Sequence, residues 1–229
     1  MNGAAFAEPT RILAIRHGET AWNVGNRIQG QLDVPLNETG RWQARRLGAA
    51  LADETIDVVY TSDLARAHET AQALASVPAA RPLVADTGLR ERHFGRFEGC
   101  TWAEIETDWP LESERWRRRD PAFGPEGGET LTQFYERAVG AATRLASAHP
   151  GQTIALVAHG GVMDCLYRAA TRVGLQAART WLLGNAAINR LLFTPDGFTL
   201  VGWHDVGHLE GTVHDEIGDA GVPVQGHAA

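Results

Sequence analysis

Two histidines far apart in the chain each follow a short apolar segment directly. Apolar residues 13–15 precede Arg16 and His17, and apolar residues 155–158 precede His159. An imidazole can attack phosphorus when one ring nitrogen is unprotonated and a hydrogen bond holds the other. Arg16 adds a permanent cation that can bind two oxygens of one anion. The pattern predicts a site that handles a phosphoryl group, with His17 as the leading candidate nucleophile.

The segments before these histidines have the composition of buried strands that end at glycine. Ligands of α/β sheets bind just beyond the carboxyl ends of the strands. If both segments are parallel strands of one sheet, His17 and His159 emerge at the same edge. Gly160 and Gly161, at a predicted strand-to-helix passage, would also turn backbone amides and a positive helix end toward an anion. The alternative for each histidine is a local role in which the ring bonds only to backbone.

Arg66 is a further candidate, because it lies near the start of the helix predicted after strand 57–61. A cation there opposes the helix dipole unless an anion is bound at that helix end. The alternative is a solvated helix face, on which Arg66 pairs with Asp63 or Glu69.

Two carboxylates, Glu91 and Glu98, are candidates for the general acid. A carboxylic acid can protonate a departing alkoxide, and burial near apolar rings suits it to that role. Spacing alone does not choose between the two, and both could be surface charges.

The middle of the chain contains a basic run made up of Arg115, Arg117, Arg118 and Arg119. Such a run either binds an anionic part of a substrate or forms a solvated face. Tryptophans nearby either line a pocket or form a small core. The spacing of histidines, cysteines and acidic residues does not match a metal site, so we predict no metal and no other cofactor.

Length and composition indicate an ordinary globular protein. The chain has 229 residues, 44% of them hydrophobic and 21% charged, which suits a single α/β domain. A net charge of -7 argues against nucleic acid or an anionic membrane as the main partner. All 21 basic residues are arginine, so lysine chemistry is excluded. The cysteines Cys100 and Cys165 form no motif, and we see neither a membrane span nor a signal peptide, which favours the cytoplasm.

The order of predicted elements is typical of a three-layer α/β fold. Strands are predicted at 11–16, 57–61, 83–84 and 153–158, with a hairpin over 187–193 and 198–204. Helices are predicted at 37–53, from Ser62 or Asp63 to 76, at 129–148 and at 161–173. We expect a mostly parallel sheet with helices on both faces and one domain over 1–229. That domain would have a loose leader at 1–9, a small helical cap insertion at 100–128 and a flexible tail at 207–229.

Five motifs, in order, carry a resemblance to a known family. They are Arg16-His17-Gly18-Glu19-Thr20 with Trp22-Asn23, Ser62-Asp63-Leu64-x-Arg66-Ala67, Leu89-x-Glu91-x-x-x-Gly95-x-x-Glu98-Gly99, Gly127-Gly128-Glu129-Thr130 and His159-Gly160-Gly161. With these motifs the chain resembles the histidine phosphatase superfamily, branch 1, which holds the phosphoglycerate mutase-like phosphatases. The resemblance runs from about Arg11 to His204 and therefore implies the phosphoglycerate mutase-like fold.

The resemblance also implies roles for individual residues. His17 would take the phosphoryl group as a phosphohistidine, and Arg16, Arg66 and His159 would hold the phosphate oxygens. Glu91 would act as general acid toward the leaving oxygen and then as base toward water. The remaining members of the implied phosphate-binding set are Asn23, Gln29 and Gly160. Guanidinium and imidazole groups would do the work of a metal in this scheme, so no cofactor is implied.

The residues also bear on whether the family's mutase or phosphatase activity is expected. The segment Glu91–Gly95 resembles that of the mutases. At the position where the mutases have a lysine, however, this chain has Trp102, and its segment between Gly99 and Gly128 is shorter than the corresponding mutase region. A mutase must exclude water, whereas a phosphatase need only admit it. We therefore expect a metal-independent phosphomonoesterase acting on a small phosphorylated metabolite. The alternatives are a 2,3-bisphosphoglycerate-dependent phosphoglycerate mutase and a catalytically idle phospho-ligand-binding module.

Overall fold

A computed structural model describes residues 8–76 and 80–210, so most of the predicted leader and residues 211–229 of the predicted tail lie outside the described residues. Within these ranges the strands are β1 (Thr10–Arg16), β2 (Val58–Thr61), β3 (Leu83–Ala85), β4 (Thr153–Ala158), β5 (Ile188–Thr194) and β6 (Gly197–Asp205). The α-helices are α1 (Ala21–Val24), α2 (Glu38–Ala50), α3 (Ala65–Ala75), α4 (Trp102–Asp108), α5 (Pro110–Arg117), α6 (Leu131–Ser147) and α7 (Gly160–Thr171).

The strands form one sheet in the order β3-β2-β4-β1-β5-β6. The first four strands in this order run parallel, and β5 and β6 form an antiparallel hairpin on the β1 side. The predicted α/β class, with a mostly parallel sheet and a terminal hairpin, is confirmed. Because β1 and β4 are central neighbours, their carboxyl ends lie side by side.

Helices cover both faces of the sheet, and alternation along the central strands explains why. Ile12 and Ala14 of β1 pack into one core with helices α6 and α7, whereas Leu13 and Ile15 pack into the opposite core with α2 and α3. All six residues of β4 are buried. A strand that is apolar on both faces must be covered on both, which produces the predicted three layers.

The start of α3 differs from the prediction. The helix begins at Ala65, and neither Ser62 nor Asp63 caps it. The carboxylate of Asp63 is instead paired with Arg90, and the amide of Ala65 donates to a carboxylate oxygen of Asp33 over 2.6 Å. The sequence pattern predicts that Ser62 or Asp63 accepts the hydrogen bond at the start of this helix, but Asp33, which is distant in sequence, accepts it instead.

Residues 100–128 contain the short helices α4 and α5, which share a small aromatic core. Phe97, Ile105 and Phe123 are buried in it, and Trp116 stacks on Phe97 with ring centroids 5.6 Å apart. The tryptophans of this segment thus pack mainly into the small core of the segment itself. The segment's role as a cap over the sheet edge stays a prediction.

The described part of the predicted tail, 207–210, contains a single 3₁₀ turn at Gly207–Leu209. Its His208 carbonyl accepts a hydrogen bond from Arg46 of α2 over 2.9 Å, which fastens this turn to the domain. In the part of the chain that the structure describes, no helix is both long and apolar enough to span a bilayer.

Candidate active site

The ends of β1 and β4 bring the two histidine rings together at one edge of the sheet. Arg16 pairs in register with Ala158, so the residue after each strand leaves the sheet at the same level. The ring centroids of His17 and His159 lie 5.2 Å apart in an edge-to-face arrangement. The two histidines therefore share one edge, as the sequence pattern predicts.

One hydrogen bond sets the tautomer of His17. Its Nδ1 lies 2.7 Å from the carbonyl oxygen of Gly18 and donates to it, which leaves a lone pair on Nε2. Burial, reinforced by the positive charges of Arg16 and Arg66, lowers the pKa of His17 well below its usual value. The ring is therefore neutral at pH 7, as a nucleophile must be.

The backbone after β1 is also held from the side of α3. The amide of Gly18 donates to the hydroxyl of Thr70 over 3.0 Å, and that hydroxyl donates to the carbonyl of Arg66 over 2.7 Å. Thr70 is fully buried. Thr70 was not predicted as a site residue, although its position one helical turn beyond Arg66 places it on the same face of α3.

Two guanidinium groups flank the histidines, of which that of Arg66 is fully buried and that of Arg16 is half-buried. Arg66 donates through both terminal nitrogens to the carbonyls of Gly30 and Leu32, and Arg16 donates to the carbonyl of Leu183. The Nε atoms of both arginines are buried and have no partner among the described residues. Burial lowers the pKa of both groups, to about 10 for Arg66, so both carry a positive charge at neutral pH.

The solvated-face alternative for Arg66 does not hold. Its side chain is completely buried, and both of its candidate partners are paired elsewhere. Asp63 binds Arg90, and Glu69 binds Arg41 over 3.0 Å. Arg66 is thus a buried cation beside the two histidines.

His159 is fully buried next to His17, and neither of its ring nitrogens has a partner among the described residues. Burial, together with the neighbouring Arg66, His17 and Arg16, lowers its pKa well below the usual value. It occupies the N-cap position of α7 but makes no side-chain capping bond. The alternative of a local role, in which the ring of His159 hydrogen-bonds only to backbone, therefore does not hold among the described residues.

The structure separates the two candidate carboxylates. Glu91 lines the cavity in front of His17, and its two oxygens accept from the amides of Gly161 and Arg92 at 2.9 and 2.8 Å. Glu98 does not line that cavity. It accepts instead from the amides of Gln31 and Phe94, each at 2.9 Å, and so braces two loops.

A cavity of about 170 Å³ opens in front of these groups. Its polar walls include the predicted residues Asn23, Gln29 and Gly160, and the side-chain oxygen of Gln29 is buried without a partner among the described residues. Four lining residues were not predicted as site residues, namely Arg27, Ile28, Gly30 and Phe94. The first three lie within two residues of Gln29 in sequence, and Phe94 lies within the Glu91–Glu98 motif, so proximity to predicted residues was the available signal.

The basic run is engaged elsewhere. Its members form ion pairs, which are Arg115 with Asp120, Arg117 with Glu106, Arg118 with Glu114 and Arg119 with Asp164. None of the four arginines lines the cavity. Among the described residues, histidines, cysteines and carboxylates do not gather into a group of three or more that could hold a metal ion.

Comparison with known proteins agrees with this architecture. The model of the histidine phosphatase superfamily (branch 1) matches residues 12–206. The chain is 40% identical over 204 residues to phosphoglycerate mutase-like protein 4 of Arabidopsis thaliana, and the matched region covers 88% of this chain and 87% of that protein. It is 35% identical over 205 residues to the metal-independent phosphoserine phosphatase of the same plant, covering 89% and 84%.

A solved structure, that of Bacillus stearothermophilus YhfR, superposes with a TM-score of 0.82 at 32% identity. It covers 88% of this chain and all of that one. Both sequence and fold agree over nearly the whole described chain. The protein therefore belongs to branch 1 of the histidine phosphatase superfamily.

Proposed function

We propose that this protein is a phosphomonoesterase that hydrolyses a small phosphorylated metabolite through a phosphohistidine on His17. One observation carries the proposal. Buried polar atoms of Arg16, Arg66 and His159, which have no partner in the described part of the chain, lie around a neutral imidazole whose Nε2 lone pair is free. Buried polar groups are nearly always satisfied, so such a set calls for an anion with several oxygens. A phosphoryl group provides those oxygens and an electrophilic centre for His17.

In the first step, Nε2 of His17 forms a bond to phosphorus while the bond from phosphorus to the ester oxygen breaks. The protonated carboxyl of Glu91 gives its proton to the leaving alkoxide, which departs as an alcohol. Arg16 and Arg66 neutralise charge on the phosphoryl oxygens. Their positions are set before the substrate binds, because Gly30, Leu32 and Leu183 already hold the guanidinium groups.

In the second step, the Glu91 carboxylate takes a proton from water as the water oxygen attacks phosphorus. The bond from phosphorus to Nε2 breaks, inorganic phosphate leaves, and both His17 and Glu91 return to their starting states. The hydrogen bonds from the amides of Gly161 and Arg92 hold the carboxylate at the cavity wall in both steps.

Hydrolysis is favoured over the mutase reaction by the absence of lysine from the chain. A mutase must keep a bisphosphate away from water while it reorients, and the chain has no lysine to hold it. The relatives named above include both a mutase-like protein and a phosphoserine phosphatase, so both activities belong in the test.

We also propose that 100–128 forms a cap on a single histidine phosphatase domain. Phe94 lines the cavity and stacks on Trp116 of α5, with ring centroids 5.0 Å apart. A cytoplasmic setting is proposed as well, since Cys100 and Cys165 are both unpaired.

The test is hydrolysis of p-nitrophenyl phosphate in the presence of EDTA by the wild type and by His17→Ala. We expect the wild type to turn over and the variant to lose at least about a thousandfold in kcat, because no other group forms the covalent intermediate. An alkaline quench during turnover should trap one phosphoryl group on His17, since phosphohistidine survives base. The control is His149→Ala. His149 lies just before β4, at the opposite edge of the sheet, and its ring hydrogen-bonds to Tyr60 and Gln152.

Retained activity in His17→Ala, or loss of wild-type activity in EDTA, would contradict the proposal. Conversion of 3-phosphoglycerate in the presence of 2,3-bisphosphoglycerate, without release of inorganic phosphate, would establish the mutase alternative instead. Phosphate binding without any turnover would indicate an idle binding module.

A further inference from the structure

The side chain of Asn185 joins two parts of the site that lie far apart in sequence. Its Nδ2 donates to the backbone carbonyl of His17 over 3.0 Å and to the side-chain oxygen of Asn23 over 3.3 Å. One amide group has two hydrogens, so this single nitrogen can serve both acceptors. Asn185 itself does not line the cavity.

The contact with Asn23 determines which end of that amide faces the phosphate. The Oδ1 of Asn23 also accepts from the backbone amide and the hydroxyl of Thr20, at 3.0 and 3.1 Å. With three donors on Oδ1, its acceptor capacity is used, and Nδ2 is the end left for the cavity. The opposite orientation would turn an oxygen toward the phosphate oxygens and repel them.

The contact with His17 holds the peptide that carries the proposed nucleophile. The carbonyl of His17 accepts from Asn185, and the amide of Gly18 in the same peptide bond donates to Thr70. This peptide is therefore held at both ends. Because the side-chain amide of Asn185 hydrogen-bonds to both His17 and Asn23, it sets the position of one relative to the other.

Asn185 can play this part because its own segment, between α7 and β5, is firmly anchored. Arg168 of α7 is completely buried and, with Arg119, shares a carboxylate oxygen of Asp164. The two guanidinium groups donate to three carbonyls of the segment, those of Gly174, Leu175 and Ala177. Nearer Asn185, the carbonyl of Leu182 accepts from Trp203 over 2.8 Å.

We propose that Asn185 is a positioning residue for phosphoryl transfer, which aligns the His17 nucleophile with the phosphate-facing amide of Asn23. This inference rests on the proposed function. It goes beyond it by assigning a role to a residue outside the family motifs and outside the cavity wall. The alignment matters most in the transition state, when nucleophile, phosphorus and leaving oxygen must lie in line.

The test is a double-mutant cycle with Asn23→Ala and Asn185→Ala. It measures kcat/KM for p-nitrophenyl phosphate and inhibition constants for orthophosphate and orthovanadate. We expect Asn185→Ala to lower kcat/KM about tenfold. The binding of orthovanadate, which mimics the transition state, should weaken more than the binding of orthophosphate. The loss in the double variant should fall short of the product of the single losses by about fivefold or more.

Inhibition constants separate positioning from folding, because they do not depend on the fraction of enzyme that is active. Asn185→Leu keeps the volume without the donor and should reproduce the losses of the alanine variant. The matched control is Asn189→Ala. Asn189 is a β5 asparagine whose Nδ2 donates to the carbonyl of Ala14 in the same way, but its side chain hydrogen-bonds to no described residue of the cavity wall. This control should leave the inhibition constants within about twofold and show no coupling to Asn23.

Two results would overturn the inference. The first is a double-variant loss equal to the product of the single losses, and the second is unchanged inhibition constants in both Asn185 variants. If the wild type lacks phosphatase activity, the proposed function fails by itself. Calorimetric binding of orthophosphate to the same four proteins then tests the coupling between Asn185 and Asn23 without turnover.

Discussion

The chemistry of the site depends on single atoms that are buried before any substrate binds. Nε2 of His17 is available because Nδ1 donates to Gly18, and the ring stays neutral because it is buried between cations. The Nε atoms of Arg16 and Arg66 are likewise buried without a partner among residues 8–76 and 80–210. Desolvated donors of this kind cost stability, and the proposed binding of a phosphoryl group would relieve that cost.

The first prediction at this scale concerns Gly161, where an added Cβ would lie 2.2 Å from a carboxylate oxygen of Glu91 and 2.9 Å from the Phe134 ring. Gly161→Ala should push Glu91 away from the cavity and lower kcat by about ten- to a hundredfold. The measurement is kcat for p-nitrophenyl phosphate. Gly140→Ala is the control, because an added Cβ there meets nothing within 4 Å and should only stabilise α6, by up to about 1 kcal/mol. Equal kcat values in the two variants would exclude a role for this contact.

The second prediction concerns the pH dependence of stability. His17 and His159 have pKa values well below 6.5 in the folded protein, so between those values and about 6.5 the unfolded chain binds protons that the folded chain does not. The free energy of unfolding should therefore fall as pH decreases below about 6.5, with each histidine contributing about 1.4 kcal/mol per pH unit. Urea unfolding in phosphate-free buffer measures this slope. His17→Gln should have a slope shallower by one such contribution, and an identical slope would contradict the assignment.

At the scale of elements, the site is made by the ends of strands and the starts of helices. β1 and β4 deliver the two histidines, while the first turn of α3 delivers Arg66 and that of α7 contributes an amide to Glu91. The remaining wall comes from residues 23–30 and from the Glu91–Glu98 segment. Phe94 of that segment is backed by the aromatic core of the proposed cap.

The prediction for this scale is that Trp116→Ala affects both stability and substrate binding. Removing the half-buried ring leaves a cavity against Phe94 and Phe97 and should lower the free energy of unfolding by about 2 kcal/mol. Because Phe94 loses its support at the cavity wall, KM should rise more than kcat falls. Steady-state kinetics and urea unfolding measure the two effects. Leu111→Ala, in the same helix but 79% exposed, should change neither, and an unchanged KM in Trp116→Ala would separate the cap from the cavity.

At the scale of the whole molecule, one buried carboxylate connects three separate parts of the chain. Asp164 of α7 binds Arg168 of the same helix and Arg119, which follows α5 in the 100–128 segment. Both arginines hold the segment that leads to β5. This network links the proposed cap, the core helix and the loop behind the site.

Asp164→Ala should therefore be strongly destabilising. It leaves the guanidinium of Arg168, which is completely buried, without its counter-charge, at a cost of about 3–5 kcal/mol. Chemical unfolding provides the measurement. Glu114→Ala removes an exposed partner of Arg118 and should change the free energy of unfolding by less than about 1 kcal/mol. A small effect in both variants would mean that Arg168 finds other compensation.

The amino-acid sequence alone determined the class of the fold, the order of its main elements and the identity of the phosphoryl-binding candidates. Short-range physics accounts for this: continuous apolar runs specify strands that are buried on both faces, and residues directly after such strands lie at the sheet edge. Thus His17, His159 and Arg66 could be recognised without coordinates.

The resemblance already favoured Glu91 over Glu98, but only the tertiary structure showed that Glu91 lines the cavity, that Asp33 supplies the acceptor at the start of α3, and that the basic run forms ion pairs. It also revealed Thr70 and Asn185 behind the nucleophile. Most of these results depend on a hydrogen bond between residues distant in sequence, although Arg115 and Arg118 pair with carboxylates only five and four residues away. Local propensity carries no information about such partners, because they meet only once the layers have packed.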